Sequence, residues 1–542
     1  MNTATTVSNL RFLSGRLHLP FASIRVTAIA RTMTTIRSYG DAVEQLNSLQ
    51  TNAATLEAVR ASGGKSSDLA IPEMLEYLGR IGYAAEDLNK LNVVHITGTK
   101  GKGSTSAFTD AIIRQAKPGW KVGLYTSPHL VAVRERIRIN GTPLSEEDFA
   151  RYFFEVWDKL EKNDVRANPN TSPKPAYFRF ITLVAYHAFL SLKVDATILE
   201  VGVGGTYDST NIVPEPVVTG ISALGIDHVT VLGRTLKEIA WQKGGIYKPG
   251  VPALTVDQPA EGMNMLKERA TEKGASEFVI ISKTPGLREI RLGLSGAHQY
   301  QNADLAIHLS RKFLQAQGGL EPKDSLTEYE INGLQSAKWP GRCQTVPDPN
   351  QPSITWFLDG AHTLESLDCC MQWFVGPHTA LRNETSSRPK RILIFNCTSG
   401  RTGPAFLEAM LGKIAAQLKL HGDDEDAAKF FDDIIFCANV TYMSGNFKGD
   451  GTCADEDDTD LANKNTAEAD LVQLKTQHEL EAAWRSLVPS FGPDRVHVLP
   501  SIEHAVDLIR HQESPTIDVL VAGSLHLVGG VIEVAGLSEV AL

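Results

Sequence analysis

The 542-residue chain is poor in cysteine: it has six, and none precedes Cys343. Cys343, Cys369, Cys370, Cys397, Cys437 and Cys453 include no Cys-x-x-Cys pair. That argues against a zinc ribbon or a disulfide framework and for a reducing compartment. No run approaches the roughly 20 apolar residues of a membrane helix, so no membrane span is expected. An excess of positive charge is also missing. With 53 Lys+Arg against 63 Asp+Glu the formal net charge is −10, which does not suggest a nucleic-acid binder. An anionic substrate therefore needs a locally positive site. No acidic residue occurs before Asp41, whereas Arg11, Arg16, Arg25, Arg31 and Arg37 alternate with apolar, Ser and Thr residues. Residues 1–38 thus have the composition of a mitochondrial transit segment. Initiation at Met33 would give a second form, so mitochondrial and cytoplasmic locations are both expected.

What is present describes a soluble α/β protein. Hydrophobic residues make up 42% and charged residues 21%, and the length predicts two domains. A helical pattern covers about 41–78. The apolar runs "LNVVHIT", "WKVGLYT", "VDATILEV", "PVVTGISAL" and "VPALTV" then read as strands separated by helices. This alternation predicts a mainly parallel sheet with covered faces. "SAKWPGRCQTV", residues 336–346, reads as a linker between domains at 39–335 and 347–542. A second alternating series, "SITWFLDGAH", "RILIFNCTS", "DDIIFCANV", "RVHVLP" and "DVLVAGS", predicts a smaller Rossmann-like α/β domain. The acidic stretches 421–426 and 445–468 read as solvated or disordered surface insertions.

"HITGTKGKGSTSAF", residues 95–108, joins a strand to a helix through glycines. Gly98, Gly101 and Gly103 allow backbone N–H groups to line one concave surface. The helix N-terminus adds free N–H groups and a positive dipole end. Lys102 can reach outer phosphates, and Ser104 can reach phosphate or magnesium. Gly103 stands between Lys102 and Ser104, which departs from the general phosphate-loop spacing. Glu200 closes the strand "ILEV", and Asp227 and His228 follow another in "ALGIDHVTVLG". Carboxylates at such strand ends are placed for a ligand in the crevice. A capping Glu200 and a structural His228 are the alternative. Lys243 and Lys248 in "AWQKGGIYKPG" read, by themselves, as surface lysines.

These stretches, with "YTSPHLVAVRERIRING", "YFRFITL", "LEVGVGGTYDSTN", "WPGR", "LDGAHT" and "GSLHLVGG", resemble the eukaryotic folylpolyglutamate synthase family, a branch of the Mur-ligase-like ATP-dependent amide ligases. The resemblance runs from about Tyr39 to the C-terminus. It implies an N-terminal P-loop ATP- and folate-binding domain and a C-terminal glutamate-ligase domain. The implied activity is a carboxylate–amine ligase joining L-glutamate to the γ-carboxylate of a reduced folate through an acyl phosphate. It implies nucleotide contacts at Gly98, Thr99, Lys100, Gly101, Lys102, Gly103 and Ser104, at His298, Gln299 and Asn302, and at Arg342 and Asp359. Ser127, Glu200 and His228 match magnesium ligands. Lys243 matches a lysine that many relatives carbamylate, which would hold a second magnesium. Catalytic roles fall on Lys102, Lys243 and His362, while Ser524 and His526 match the glutamate side. Arg401 lies in "NCTSGRTGP", where the family often carries Gly-Asp-Arg. ATP, magnesium and potassium are the implied cofactors, and a monomer without nucleic-acid or membrane partners is expected. Dihydrofolate synthase, a bifunctional enzyme and a P-loop nucleotide switch are the competing readings.

Overall fold

Val93–Thr97 forms strand β1, and all five residues are buried. Burial on both faces is what a central parallel strand requires. It forces even His95 to find a protein partner. Its Nε2 lies 2.9 Å from Thr210 Oγ1, and burial pushes the imidazole down to about 3. The computed structural model describes residues 37–50, 69–169, 171–319, 324–382, 388–397, 403–443 and 474–542. The transit-like segment through residue 36, Met33, Arg401, Cys453 and the 445–468 stretch lie outside the described residues.

The other strands of the first sheet are β2 (Val122–Tyr125), β3 (Ile137–Ile139), β4 (Thr142–Pro143), β5 (Ala196–Glu200), β6 (Val218–Ile221), β7 (Ala253–Thr255) and β8 (Phe278–Ile280). Among the described residues their order is β4-β3-β2-β5-β1-β6-β7-β8. Among the described strands, pairing is parallel except between β2 and β3 and between β3 and β4. The second sheet comprises β9 (Gln344–Pro347), β10 (Ile354–Leu358), β11 (Lys390–Phe395), β12 (Asp433–Cys437), β13 (Val496–Leu499) and β14 (Ile517–Ala522). Its order is β13-β12-β11-β14-β10-β9, with only β9 antiparallel among the described strands. The expected mainly parallel α/β architecture is therefore present. Separate apolar clusters cover the two faces of the second sheet.

Helix ends follow local chemistry. Ser145 caps the helix Glu146–Lys162 by accepting from the Asp148 amide, and Glu146, Glu147 and Asp148 occupy its first turn. One expectation needs correction. The pattern over 41–78 resolves into separate helices, Tyr39–Asn47 and Ala70–Arg80, the first stopping at Ser48. The acidic stretch 421–426 is a largely exposed loop, as a solvated insertion would be. Glu425 bonds Arg391 at 2.6 Å and Arg388 at 3.0 Å, and Asp426 caps the following turn. Composition does not reveal these ion pairs, because Arg388 and Arg391 are far away in sequence.

Candidate active site

The strands deliver their loops to one place. Residues after the C-terminal ends of β1, β2, β5 and β6 in the first sheet, and of β10 and β14 in the second, line a cavity of about 480 Å³. This is the crevice that parallel sheets offer to ligands. From the first sheet come Thr99–Ser104, Ser127, Glu200, Asp227 and His228. Facing them are Arg342, Asp359, His362, Ser524 and His526.

The glycine loop is shaped by its neighbours. Gly101 has φ +86°, and a Cβ there would lie 2.1 Å from Asn302 Oδ1. The helix Lys102–Ala116 starts immediately afterwards, its first return bond running from the Thr105 amide to the Gly101 carbonyl at 2.9 Å. The amides of Lys102, Gly103 and Ser104 therefore lack intrahelical acceptors and form an anion site at the helix N-terminus. Thr99 and Lys100 act differently. Both amides donate to the Ala223 carbonyl, at 2.9 and 3.1 Å, so they tie the loop to the segment after β6. The phosphate-facing donors thus begin later in the loop than the motif suggests. Gly101→Ala is expected to cost about 1–3 kcal/mol through its left-handed conformation alone. It should also abolish thermal stabilisation by nucleotide, which a melting experiment with and without ADP measures.

Several matched residues stand behind the loop. Gln299 Nε2 donates to Ser104 Oγ at 3.2 Å, and Asn302 Nδ2 donates to Gln299 Oε1 at 2.9 Å. His298 precedes them at the head of the helix Gln299–Ala316; burial lowers its imidazole pKa, with Asp359 opposing. None of the three lines the cavity. Lys243 is only 2% exposed, and its Nζ donates to the Gly98 carbonyl at 2.8 Å. It too is outside the cavity lining, as is Gly98. Lys243 in this arrangement buttresses the loop from behind. Lys248 is also partly buried, not a surface lysine. Its Nζ donates to the Asn211 carbonyl at 2.9 Å, and burial and Lys273 lower it to about 8.

The cavity contains a buried carboxylate, only partly compensated by its neighbours. Glu200 is 2% exposed, and its Oε2 accepts from the Ser127 amide at 3.2 Å. Burial pushes it up to about 7, against the opposing pull of Lys102, the Ser127 N–H, Arg342 and Arg136. Among the described residues no group of three or more His, Cys, Asp and Glu is gathered for a metal. Glu200 with neighbouring hydroxyls instead suits a hard cation that takes its remaining ligands from phosphate and water. Lys100 Nζ pairs with Asp227 Oδ2 at 2.9 Å, and Asp227 Oδ1 accepts from the His228 amide at 3.0 Å. Burial raises the Asp227 carboxyl, but Lys100 and His228 outweigh it and hold it below the ordinary range. His228 has φ +51°, so this bond helps keep an unusual backbone. The partly exposed ion pair is worth about 0.2–1 kcal/mol. Asp227→Asn is therefore expected to leave the melting temperature nearly unchanged while lowering turnover through His228.

Across the cleft, Asp359 spends both oxygens on backbone. Oδ2 accepts from the Cys343 amide at 2.7 Å and Oδ1 from the Ala361 amide at 2.8 Å. Burial raises its pKa, with Arg342 opposing. Asp359 thus fixes the loop that carries His362 to the turn before β9 that carries Arg342. His362 Nδ1 donates to the Gly360 carbonyl at 2.8 Å, which assigns its tautomer. Sequence reasoning missed Trp339, Arg138 and Glu135, which also line the cavity. Glu135 accepts from the amides of Leu130, Val131 and Ala132 at 2.7–3.1 Å and so folds the loop after Ser127. The charged run "RERIRI" was the available signal.

A phosphate loop and a buried acid on one parallel sheet, facing an arginine and histidines on another, define a P-loop ligase with two sheets. No family model matches the chain. It is 42% identical over 510 residues to folylpolyglutamate synthase of Saccharomyces cerevisiae (strain FostersO), covering 92% of this chain and 87% of the yeast protein. The chain belongs to the folylpolyglutamate synthase family. Its fold is similar to that of folylpolyglutamate synthase from Thermotoga maritima, with a TM-score of 0.59 at 22% identity, covering 92% of this chain and 97% of that one. The Mycobacterium tuberculosis enzyme complexed with ADP gives 0.63 at 23% identity, covering 92% and 99%.

Proposed function

We propose that the chain catalyses ATP-dependent addition of L-glutamate to the γ-carboxylate of tetrahydrofolate and of its polyglutamates. The observation that carries this reading is the single cleft shared by Lys102 and Glu200 on one side and Arg342, His362 and His526 on the other. A carboxylate does not expel oxide, so it must first be activated. ATP transfers its γ-phosphoryl group to the folate carboxylate, giving an acyl phosphate and ADP. The glutamate amine then attacks the acyl carbon, the C–N bond forms, the C–O bond breaks to release inorganic phosphate, and the amine gives up a proton. Lys102 and the amides at the helix N-terminus would bind the phosphates and compensate developing charge. Arg342 adds positive charge from the opposite wall, and closing the two walls on bound substrates would limit hydrolysis of the acyl phosphate.

Glu200, with Ser104, Ser127 and His228, would hold one magnesium ion. That ion would supply charge neutralisation at the phosphate oxygens. A carbamate on Lys243 would keep one N–H for the Gly98 carbonyl, which its Nζ meets at 2.8 Å, and would offer two anionic oxygens to a second magnesium. The reading therefore keeps two magnesium ions, with the Lys243 carbamate and potassium as its further parts. Residues 39–335 would form the ATP- and folate-binding domain and 347–542 the glutamate-ligase domain, joined by 336–346. Both walls of the cleft come from one chain, which supports a monomer as the working unit. The arginine-rich first forty residues support a mitochondrial form, and Met33 a cytosolic one. Mapping N-termini in the two pools tests this, and a single shared terminus would sink it. The activity is tested by supplying ATP, labelled glutamate and either tetrahydrofolate or dihydropteroate. A glutamylated tetrahydrofolate is expected; product from dihydropteroate alone would assign dihydrofolate synthase instead.

A further inference from the structure

Trp339 opens the tetrapeptide Trp339-Pro340-Gly341-Arg342, which lies between the two walls of the cleft. Its side chain packs against two apolar clusters of the first domain, one containing Leu305 and Leu309 and the other Phe108 and Ala337. Its Nε1 edge covers the phosphate loop: a Cβ on Gly103 would lie 2.8 Å from it. The Arg138 guanidinium lies over the indole at 5.8 Å. The other end of the tetrapeptide is held by the second sheet. The Gly341 carbonyl accepts from the Gly360 amide at 2.9 Å, and the Cys343 amide donates to Asp359 at 2.7 Å. Between these anchors the chain is stiff, with Pro340 fixing φ and Gly341 at φ +67°.

We propose that Trp339 is a positioning residue, whose contact with Gly103 sets the distance between the phosphate loop and Arg342. The backbone bonds around Arg342 register it to the second sheet alone. The indole on Gly103 registers the same short peptide to the phosphates. This also accounts for the extra glycine of the loop, since any side chain at 103 would push the indole, and Arg342 with it, away. The inference rests on the ligase reading and adds a residue to it.

The test is a double-mutant cycle on the full chain, with folate glutamylation and thermal unfolding measured together. Trp339→Ala is expected to lower kcat by about 10²-fold, as displacement of a charged group by an ångström does. Trp339→Phe, which keeps a flat ring, should recover most of it at an unchanged KM for folate. Trp339→Ala combined with Arg342→Ala should be no slower than Arg342→Ala alone, within about twofold. If Trp339→Ala unfolds, Gly103→Ala replaces it. Its loss of turnover should be relieved by Trp339→Leu in the same chain. Additive losses, no recovery in Trp339→Phe, or no relief of Gly103→Ala would overturn the inference while leaving the ligase reading standing. Absence of glutamylation by the unaltered chain would overturn both.

Discussion

Lys102→Ala is expected to lower kcat by about 10²–10³-fold, the loss seen when one preorganised donor to developing charge is removed. Lys102 follows Gly101, lines the cavity and is close enough to the buried Glu200 to lower that carboxyl's pKa. It is the cationic side chain at the helix N-terminus, where the adjacent amides already favour an anion. Those amides remain in the variant, so nucleotide should still bind. The change should therefore fall on turnover more than on KM for ATP. Removing the lysine also deprives Glu200 of a neighbouring cation, so its carboxyl should titrate still higher. Steady-state kinetics with ATP varied separate the two quantities. A variant with near-normal kcat would remove Lys102 from the reaction.

Glu200→Gln is expected to abolish turnover yet make the unliganded protein more stable above neutral pH. Burial raises the wild-type carboxyl from 4.5 to about 7. The native state then binds the proton more tightly than the unfolded chain, so stability falls as pH rises from 4.5 to about 7. Above that window the penalty is constant, on the order of 3 kcal/mol. Glutamine is neutral throughout and avoids it. The melting temperature of Glu200→Gln in EDTA should exceed that of wild type at pH 8, with the difference vanishing towards pH 5. Magnesium with ATP should then stabilise wild type more than the variant. A variant less stable than wild type at pH 8 would mean that the buried charge has compensation elsewhere. Such a site would be structural, since a functional carboxylate is kept ionised there at the expense of the fold.

Much of this cleft was legible in the chain because it follows strand ends. Ser127, Glu200, Asp227 and Asp359 each come just after or at the close of an apolar run, and a parallel sheet sends such positions to one edge. What the runs do not encode is which side of a loop a residue approaches from. Lys243, Gln299 and Asn302 reach the phosphate loop from behind, bonding Gly98, Ser104 and each other. A motif match assigns them to the ligand, and their described contacts tie them to the loop that would hold it. The hairpin of β3 and β4 was missed because its strands are three and two residues long. Such strands carry too few positions for a period-2 pattern. Trp339 carried no signal as a site residue, because its partner Gly103 is distant in sequence and has no side chain to mark the contact.

The most direct measurement of the central claim follows the oxygen atoms. Tetrahydrofolate carrying ¹⁸O in its γ-carboxylate is incubated with the full chain, ATP, magnesium and L-glutamate. Folate and phosphate products are then read by mass. The account predicts a folate extended by one or more glutamates, with one ¹⁸O per added first glutamate appearing in inorganic phosphate. No glutamate added, or the label appearing in AMP instead of phosphate, would contradict it.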